Sequence, residues 1–131
     1  MRPTYVSPPD LYADAPYEYA AVAHAGTLVF TAGACPIDAA GTVVAPGDHE
    51  AQARRALENL RTALAAAGSS FERVLKTTVY VVARDRSELV RTWKIVEDAF
   101  APARPPSTLL GVALLGYAEQ LVEIEAVAIA R

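Results

Sequence analysis

The sequence lacks the features that mark several large classes of protein. Cys35 is the one cysteine in 131 residues, so an intrachain disulfide is excluded. Acidic residues outnumber basic ones by 15 to 12, and no basic stripe offsets this balance, so we expect no nucleic-acid partner. No apolar run reaches the roughly 18 residues of a membrane span, and we expect no membrane contact.

Signals for metals, nucleotides and export are also missing. His24 and His49 are the only histidines, and neither has a partner at metal-ligand spacing, so no metal is expected. No Gly-rich phosphate loop is present, so we expect no cofactor. The N-terminus MRPTYVSPPD has prolines and a charge where a signal peptide has an apolar core, which favours a cytoplasmic protein.

The residues that are present predict one domain over residues 1–131, since 53% of them are hydrophobic and sufficient for a full core. Asp48 is a good N-cap for a helix that continues to about Ala67. A second helix is expected from Ser87 to Ala99, capped by Ser87 or Asp85, with Trp93 and Phe100 on its core-facing stripe.

Apolar and β-branched runs predict strands between these helices. Residues 19–25 and 28–32 are expected to form an opening hairpin around Gly26, and the turn-rich segment 36–47 is expected to be a loop. The later strands are predicted at 74–82, 108–115 and 120–130. The order ββαβαββ predicts an α/β (α+β) fold with a single mixed sheet.

Each predicted helix has only one apolar stripe, so both helices should lie on one face of this sheet. The other face is then left apolar and needs a cover. In a chain this short the natural cover is another copy of the chain, so the pattern predicts a homo-oligomer.

Nearly the whole sequence resembles the Rid (YjgF/YER057c) family. The resemblance is carried by Ala15-Pro16-Tyr17, Phe30-Thr31-Ala32-Gly33, Gln52 through Asn59-Leu60, Ala67-Gly68-Ser69-Ser70, Val74 through Val81, and Leu121 through Ala128. It implies a chorismate-mutase-like, YjgF-like fold and a homotrimer with small-molecule clefts between subunits. The best-known members hydrolyse reactive imines and enamines, such as 2-aminoacrylate, to keto acids and ammonia.

One position departs from the family pattern. The deaminases bind the substrate carboxylate with an arginine fifteen positions before the first glutamate of the Val-Glu-Ile-Glu motif. In this chain that position is Thr108. A threonine offers one neutral hydroxyl in place of two charged donors. The sequence therefore predicts a divergent subgroup with altered specificity. Arg104 is a candidate substitute, although it precedes two prolines and is more simply explained as a solvated loop cation.

The resemblance also implies the other site residues. Glu123 would hold the attacking water and Tyr17 would lie over the ligand, as catalytic residues. Gly33, Cys35, Ser107 and Thr108 would bind the substrate. Simpler interpretations remain open: an ion-paired Glu123, a packed Tyr17, and a Cys35 that fills the core, since no histidine is near enough in sequence to activate its thiol.

Three functions follow from this interpretation. The first is an imine or enamine hydrolase of altered specificity, and the second is a trimer that binds a small metabolite without chemistry. An endoribonuclease, an activity attributed to relatives, is disfavoured by the acidic balance.

Overall fold

A computed structural model describes residues 2–131 as a mixed sheet with two helices packed on one face. The elements are β1 (Thr4–Val6), β2 (Ala20–Val22), β3 (Thr27–Phe30), α1 (His49–Ala66), β4 (Val74–Val82), α2 (Arg86–Phe100), β5 (Ser107–Val112) and β6 (Val122–Ala130). A short 3₁₀ turn, Phe71–Arg73, leads into β4. The α+β class, the two helices and the mixed sheet are confirmed.

The main sheet has the strand order β3-β6-β4-β5. Strand β6 pairs antiparallel with β3 on one side and with β4 on the other. Strand β4 also pairs parallel with β5, because α2 carries the chain back across the sheet between them. The two longest strands, β4 and β6, therefore lie at the centre, and β3 and β5 form the edges.

The predicted opening hairpin is wrong. Strand β2 pairs with β1, a strand that was not predicted, and these two form a separate two-stranded sheet. Strand β3 pairs instead with the end of β6, where Thr27 lies opposite Ala130. A local pattern of turn and β-forming residues shows that two strands are present, but it does not show which partner each strand finds across the chain.

Both helices begin where the sequence predicts. The side chain of Asp48 accepts a hydrogen bond from the Ala51 N–H over 3.0 Å, and that of Asp85 accepts one from Glu88 N–H over 3.1 Å. These bonds satisfy backbone donors that have no partner inside the helix. Of the two capping residues considered for α2, Asp85 is the one used.

The hydrophobic core lies between the helices and one face of the sheet. The side chains that alternate inward along β4 and β6 meet the apolar stripes of both helices; fully buried members are Leu60, Leu64, Val79, Val81, Val96, Val122 and Ile124. Phe100 is buried as predicted and stacks on Phe71 with 4.3 Å between ring centroids. Trp93 is half-buried at the edge of this core.

The opposite face of the sheet carries exposed apolar side chains. Because successive side chains on a strand point to opposite faces, this outer face bears Leu28 and Phe30 of β3 and Leu110 of β5. Their exposed fractions are 51%, 72% and 43%. The prediction of an apolar face that the helices do not cover agrees with this arrangement. Within residues 2–131, neither helix is long and apolar enough to cross a membrane.

We expect Gln52→Met to lower the free energy of unfolding by about 2–4 kcal/mol, because it leaves buried polar groups without partners. Gln52 is fully buried. Its amide N–H donates to the carbonyls of Ala45 and Glu119, and its oxygen accepts from the Leu121 N–H over 2.7 Å. Urea unfolding would measure the effect, with Glu58→Met on the exposed side of α1 as control. Equal losses in the two variants would contradict this role.

Candidate functional site

Glu123 lies on the outer face of β6, and two donors meet one of its carboxylate oxygens. The Cys35 thiol is 3.3 Å from Oε1, and the Gln120 amide N–H donates to the same oxygen over 3.1 Å. The backbone brings Cys35 here, because Ala34 and Ile124 exchange hydrogen bonds of 2.7 and 3.1 Å. Asn59 of α1 then holds the loop, since its amide donates to the carbonyls of Cys35 and Ile37.

Gly33 leaves the space that the Glu123 carboxylate occupies. A Cβ added to Gly33 would lie 2.1 Å from Oε2 and 2.5 Å from Cδ of Glu123, far closer than atoms approach without a bond. The carboxylate therefore rests against bare backbone. The sequence predicted Gly33 as a position of close approach, and in this chain the group that approaches it is the carboxylate of Glu123.

Cys35 is held as a protonated thiol. The pKa of Cys35 is raised to about 11, chiefly by burial and also by the hydrogen bond to Glu123 and the charge of that carboxylate, while the Gln120 amide acts in the opposite direction. Because the thiolate is the nucleophilic form of cysteine, this environment does not favour Cys35 as a nucleophile. It favours a thiol that donates a hydrogen bond.

Tyr17 and Ser107 lie together at a second place, on the helix-covered side of β5. With Pro16, Trp93 and Leu109 they line an apolar cavity of about 150 Å³, a volume that holds a benzene-sized molecule. The Tyr17 ring stands edge-on to Tyr19 at 5.6 Å. The indole N–H of Trp93 is buried and has no acceptor within residues 2–131. No charged side chain is among those that line this cavity.

Thr108 points to the outer face of β5, away from this cavity. The Lys76 ammonium donates to its hydroxyl over 2.6 Å, whereas the neighbouring Ser107 hydroxyl accepts from Thr77 over 2.7 Å. Within the described chain, no carboxylate lies within ion-pairing distance of Lys76. Arg104, which was considered as a substitute for the arginine expected from the family resemblance, donates its guanidinium N–H to the carbonyl of Ala15.

Glu125, the next carboxylate on the outer face of β6, has a different environment. The Tyr80 hydroxyl donates to its Oε1, and this hydrogen bond is the main cause of a raised pKa for Tyr80. Glu125 is thus engaged within the sheet, whereas Glu123 lies at the loop that carries Gly33 and Cys35.

The structure therefore brings the predicted residues into two half-sites. One contains Glu123, Gly33 and Cys35, and the other contains Tyr17 and Ser107, with Thr108 on the reverse side of the same strand. Sequence reasoning missed Gln120, Trp93 and Lys76 as neighbours of these groups. The place of Gln120 just before the strand that carries Glu123 indicates that the two residues are near each other. Nothing in the sequence shows that the Gln120 side chain turns back to the carboxylate.

Larger surface grooves lie away from the predicted residues. One of about 410 Å³ lies between α1 and α2, and one of about 400 Å³ lies beside His49 and Glu88. His49 Nε2 is 2.8 Å from the Val82 carbonyl, and its Nδ1 is 3.6 Å from the Glu88 carboxylate. The pKa of Glu88 is lowered chiefly by its hydrogen bond from Arg84. These contacts tie both helix starts to the end of β4, which is a structural role.

We expect Gly33→Ala to destabilise the fold by about 1–3 kcal/mol, since the new methyl group must displace the Glu123 carboxylate from its two donors. Gly116→Ala is the matched control, because a Cβ at Gly116 meets nothing within 4 Å. Thermal unfolding of both variants would measure the difference. A Gly33→Ala protein as stable as the control would show that the carboxylate does not occupy this space in solution.

Comparison with known proteins gives consistent matches over most of the chain. A family model described as Endoribonuclease L-PSP matches residues 9–130. RutC family protein PH0854 of Pyrococcus horikoshii is 34% identical over 110 residues, which cover 84% of this chain and 85% of that protein. The 2-iminobutanoate/2-iminopropanoate deaminase of Salmonella typhimurium is 34% identical over 109 residues, covering 81% of this chain and 82% of the relative.

A solved structure agrees with these sequence matches. The Rid-family protein YyfB of Yersinia pestis superposes with a TM-score of 0.91 at 27% identity, over 98% of this chain and 99% of that one. The sequence matches and the fold therefore agree, and the chain belongs to the Rid (YjgF/YER057c) family.

Proposed function

We propose that this protein hydrolyses small reactive imines or enamines in a cleft between the subunits of a homotrimer. The observation that carries the proposal is the Glu123 carboxylate, held by Cys35 and Gln120 against the bare backbone of Gly33. A carboxylate held in a fixed orientation beside bare backbone is suited to holding water and moving a proton. A relative of similar length bears the name 2-iminobutanoate/2-iminopropanoate deaminase, which supports the substrate class.

The reaction needs only water and a group that moves a proton. The water oxygen forms a bond to the imine carbon, while Glu123 accepts a proton from that water and delivers it to the nitrogen. Glu123 then transfers the second water proton to the same nitrogen as the carbonyl forms, and the carbon–nitrogen bond breaks so that ammonia leaves with the bonding electron pair. Protons and electrons balance without an oxidant or a cofactor.

The distance between the half-sites supports a cleft that uses two subunits. Glu123 lies opposite Tyr80, and Tyr80 lies opposite Leu110, two residues beyond Thr108. With the usual strand spacing and rise, the Cα atoms of Glu123 and Thr108 are about 12 Å apart in one chain. A three-carbon imine does not span that gap. We infer that Glu123 of one subunit works with the Tyr17 and Ser107 edge of another.

The exposed outer face supports the same assembly. Leu28, Phe30 and Leu110 form an apolar surface beside two unpaired strand edges, β3 and β5, and such surfaces favour association. Three sheets that bury these faces against one another would bring the β5 edge of each subunit close to a neighbour. Each cleft then has walls from two chains.

The environment of Thr108 supports altered specificity. Lys76 places a single ammonium beside the Thr108 hydroxyl, which provides a point charge but not the planar pair of donors of a guanidinium. No charged side chain lines the cavity of Tyr17 and Ser107. We therefore propose that the substrate carboxylate contributes little to recognition, and that neutral imines are accepted as well as imino acids.

Ammonia release from a matched pair of substrates tests this function. We expect the wild type to hydrolyse freshly generated 2-iminopropionate and its carboxamide, 2-iminopropanamide, with kcat/KM values within about threefold of each other. Thr108→Arg should raise the preference for 2-iminopropionate by about tenfold or more, because a guanidinium adds charged hydrogen bonds to the carboxylate. Thr108→Met is the control that adds length without charge.

Two results would count against this function. If neither substrate is hydrolysed above the uncatalysed rate by any of these proteins, the enzymatic proposal fails. The non-catalytic alternative would then be favoured by metabolites that raise the melting temperature without being consumed. A wild type that strongly prefers 2-iminopropionate would overturn the proposed change in specificity.

The trimer is tested through the outer face. We expect light scattering to give a mass of about 42 kDa for the wild type, three times the 13.9 kDa of the chain. Phe30→Asp should shift the protein to monomer, since it places a charge in the centre of the buried contact. Val90→Asp is the control, because Val90 is 62% exposed on α2, away from the sheet. A monomeric wild type would refute the proposed cleft.

A further inference from the structure

The two oxygens of the Glu123 carboxylate have different surroundings. Oε1 receives the Gln120 amide N–H over 3.1 Å and lies 3.3 Å from the Cys35 sulfur. Oε2 lies over Gly33, where an added Cβ would come within 2.1 Å of it. Within residues 2–131, every hydrogen bond to this carboxylate ends on Oε1. Oε1 thus receives both protein donors, and Oε2 lies beside Gly33 without a protein hydrogen bond among the described residues.

We propose that Cys35 and Gln120 are positioning residues that hold Oε1 of Glu123, so that Oε2 is the oxygen that meets water and substrate. The inference rests on the proposed function for its chemistry and goes beyond it in assigning roles to the two oxygens. A carboxylate with one oxygen tied down keeps the other at a constant place and angle, which proton transfer requires.

Gln120 is built into the fold in a way that suits this role. Its side chain is almost fully buried, with 3% exposed. Its oxygen accepts from the Tyr117 N–H over 3.1 Å, and its nitrogen donates to the Val122 carbonyl over the same distance. The remaining N–H is thereby aimed at Glu123. A buried amide with every group engaged has little freedom to rotate.

Cys35 supplies the second donor. Its sulfur lies 3.5 Å from the Gly33 carbonyl and 3.3 Å from Oε1, and a thiol has one proton to give. The carboxylate is the nearer acceptor and the charged one, so it is favoured. A thiol whose pKa is raised to about 11 keeps this proton throughout the neutral range. Cys35 thus acts through its hydrogen, without attacking the substrate.

Steady-state kinetics on 2-iminopropanamide test the assignment. We expect Gln120→Met and Cys35→Ala each to lower kcat by about tenfold with KM within about twofold, because the carboxylate loses its fixed orientation while the cavity is unchanged. Cys35→Ser should recover most of the lost kcat, since a hydroxyl also donates to Oε1. Equal losses in the alanine and serine variants would show that Cys35 acts only by filling space.

The reactivity of the Cys35 thiol tests its contact with Glu123 without any turnover. The result therefore does not depend on whether the proposed hydrolase activity is correct. Cys35 is the only cysteine, so its alkylation by iodoacetamide reports one thiol. Burial, the main cause of the raised pKa of Cys35, persists in Glu123→Gln, but this variant removes the contribution of the carboxylate. More thiolate then forms, and alkylation at pH 8.5 should accelerate by about three- to tenfold. Glu125→Gln is the matched control, because Glu125 is bonded to Tyr80 instead.

The alkylation rates and the imine kinetics together distinguish the inference from the proposed function. Acceleration in Glu123→Gln alone, with the kinetic pattern above, supports the inference. Acceleration without turnover of either imine by the wild type would refute the proposed hydrolase while retaining Cys35 as a partner of Glu123. Equal alkylation rates in Glu123→Gln, Glu125→Gln and the wild type would overturn the inference, because the thiol would then not be bonded to the carboxylate in solution.

Discussion

The alternation of side chains along β6 is the constraint on which the other features depend. Val122, Ile124, Ala126 and Ala128 face the helices and form the centre of the core, while Glu123 and Glu125 face the opposite side. A shift of one residue in the register of β6 would bury both carboxylates in an apolar core, at a large cost in free energy. The packing of the core therefore also determines where Glu123 lies.

The pairing of β6 on both sides then builds the site around that carboxylate. On one side the chain after β3 runs alongside β6 and brings Gly33 and Cys35 to Glu123. On the other side β4 separates β6 from β5, so Tyr17, Ser107 and Thr108 lie at a distant edge. In the proposed trimer, an assembly that buries the exposed apolar face would also bring half-sites of two subunits together.

Much of this architecture is predictable from local sequence. The two helices, the caps at Asp48 and Asp85, and the central strand β4 follow from periodicity and from side-chain chemistry that acts within a few residues. The family resemblance added Glu123 and Gly33, which the structure places against each other. The opening hairpin failed because β2 and β3 form their pairs with β1 and β6, and the pattern within a strand does not encode its partner.

The sequence by itself determined the fold class, the caps of both helices and the helix boundaries. Each of these depends on residue type or on short-range spacing. Only the tertiary structure decided that Gln120 and Cys35 meet the same oxygen of Glu123, that Lys76 lies beside Thr108, and that Trp93 joins the cavity of Tyr17. These contacts join residues from different strands, helices and loops, and their geometry is set by strand pairing and rotamers that form only when the whole core packs.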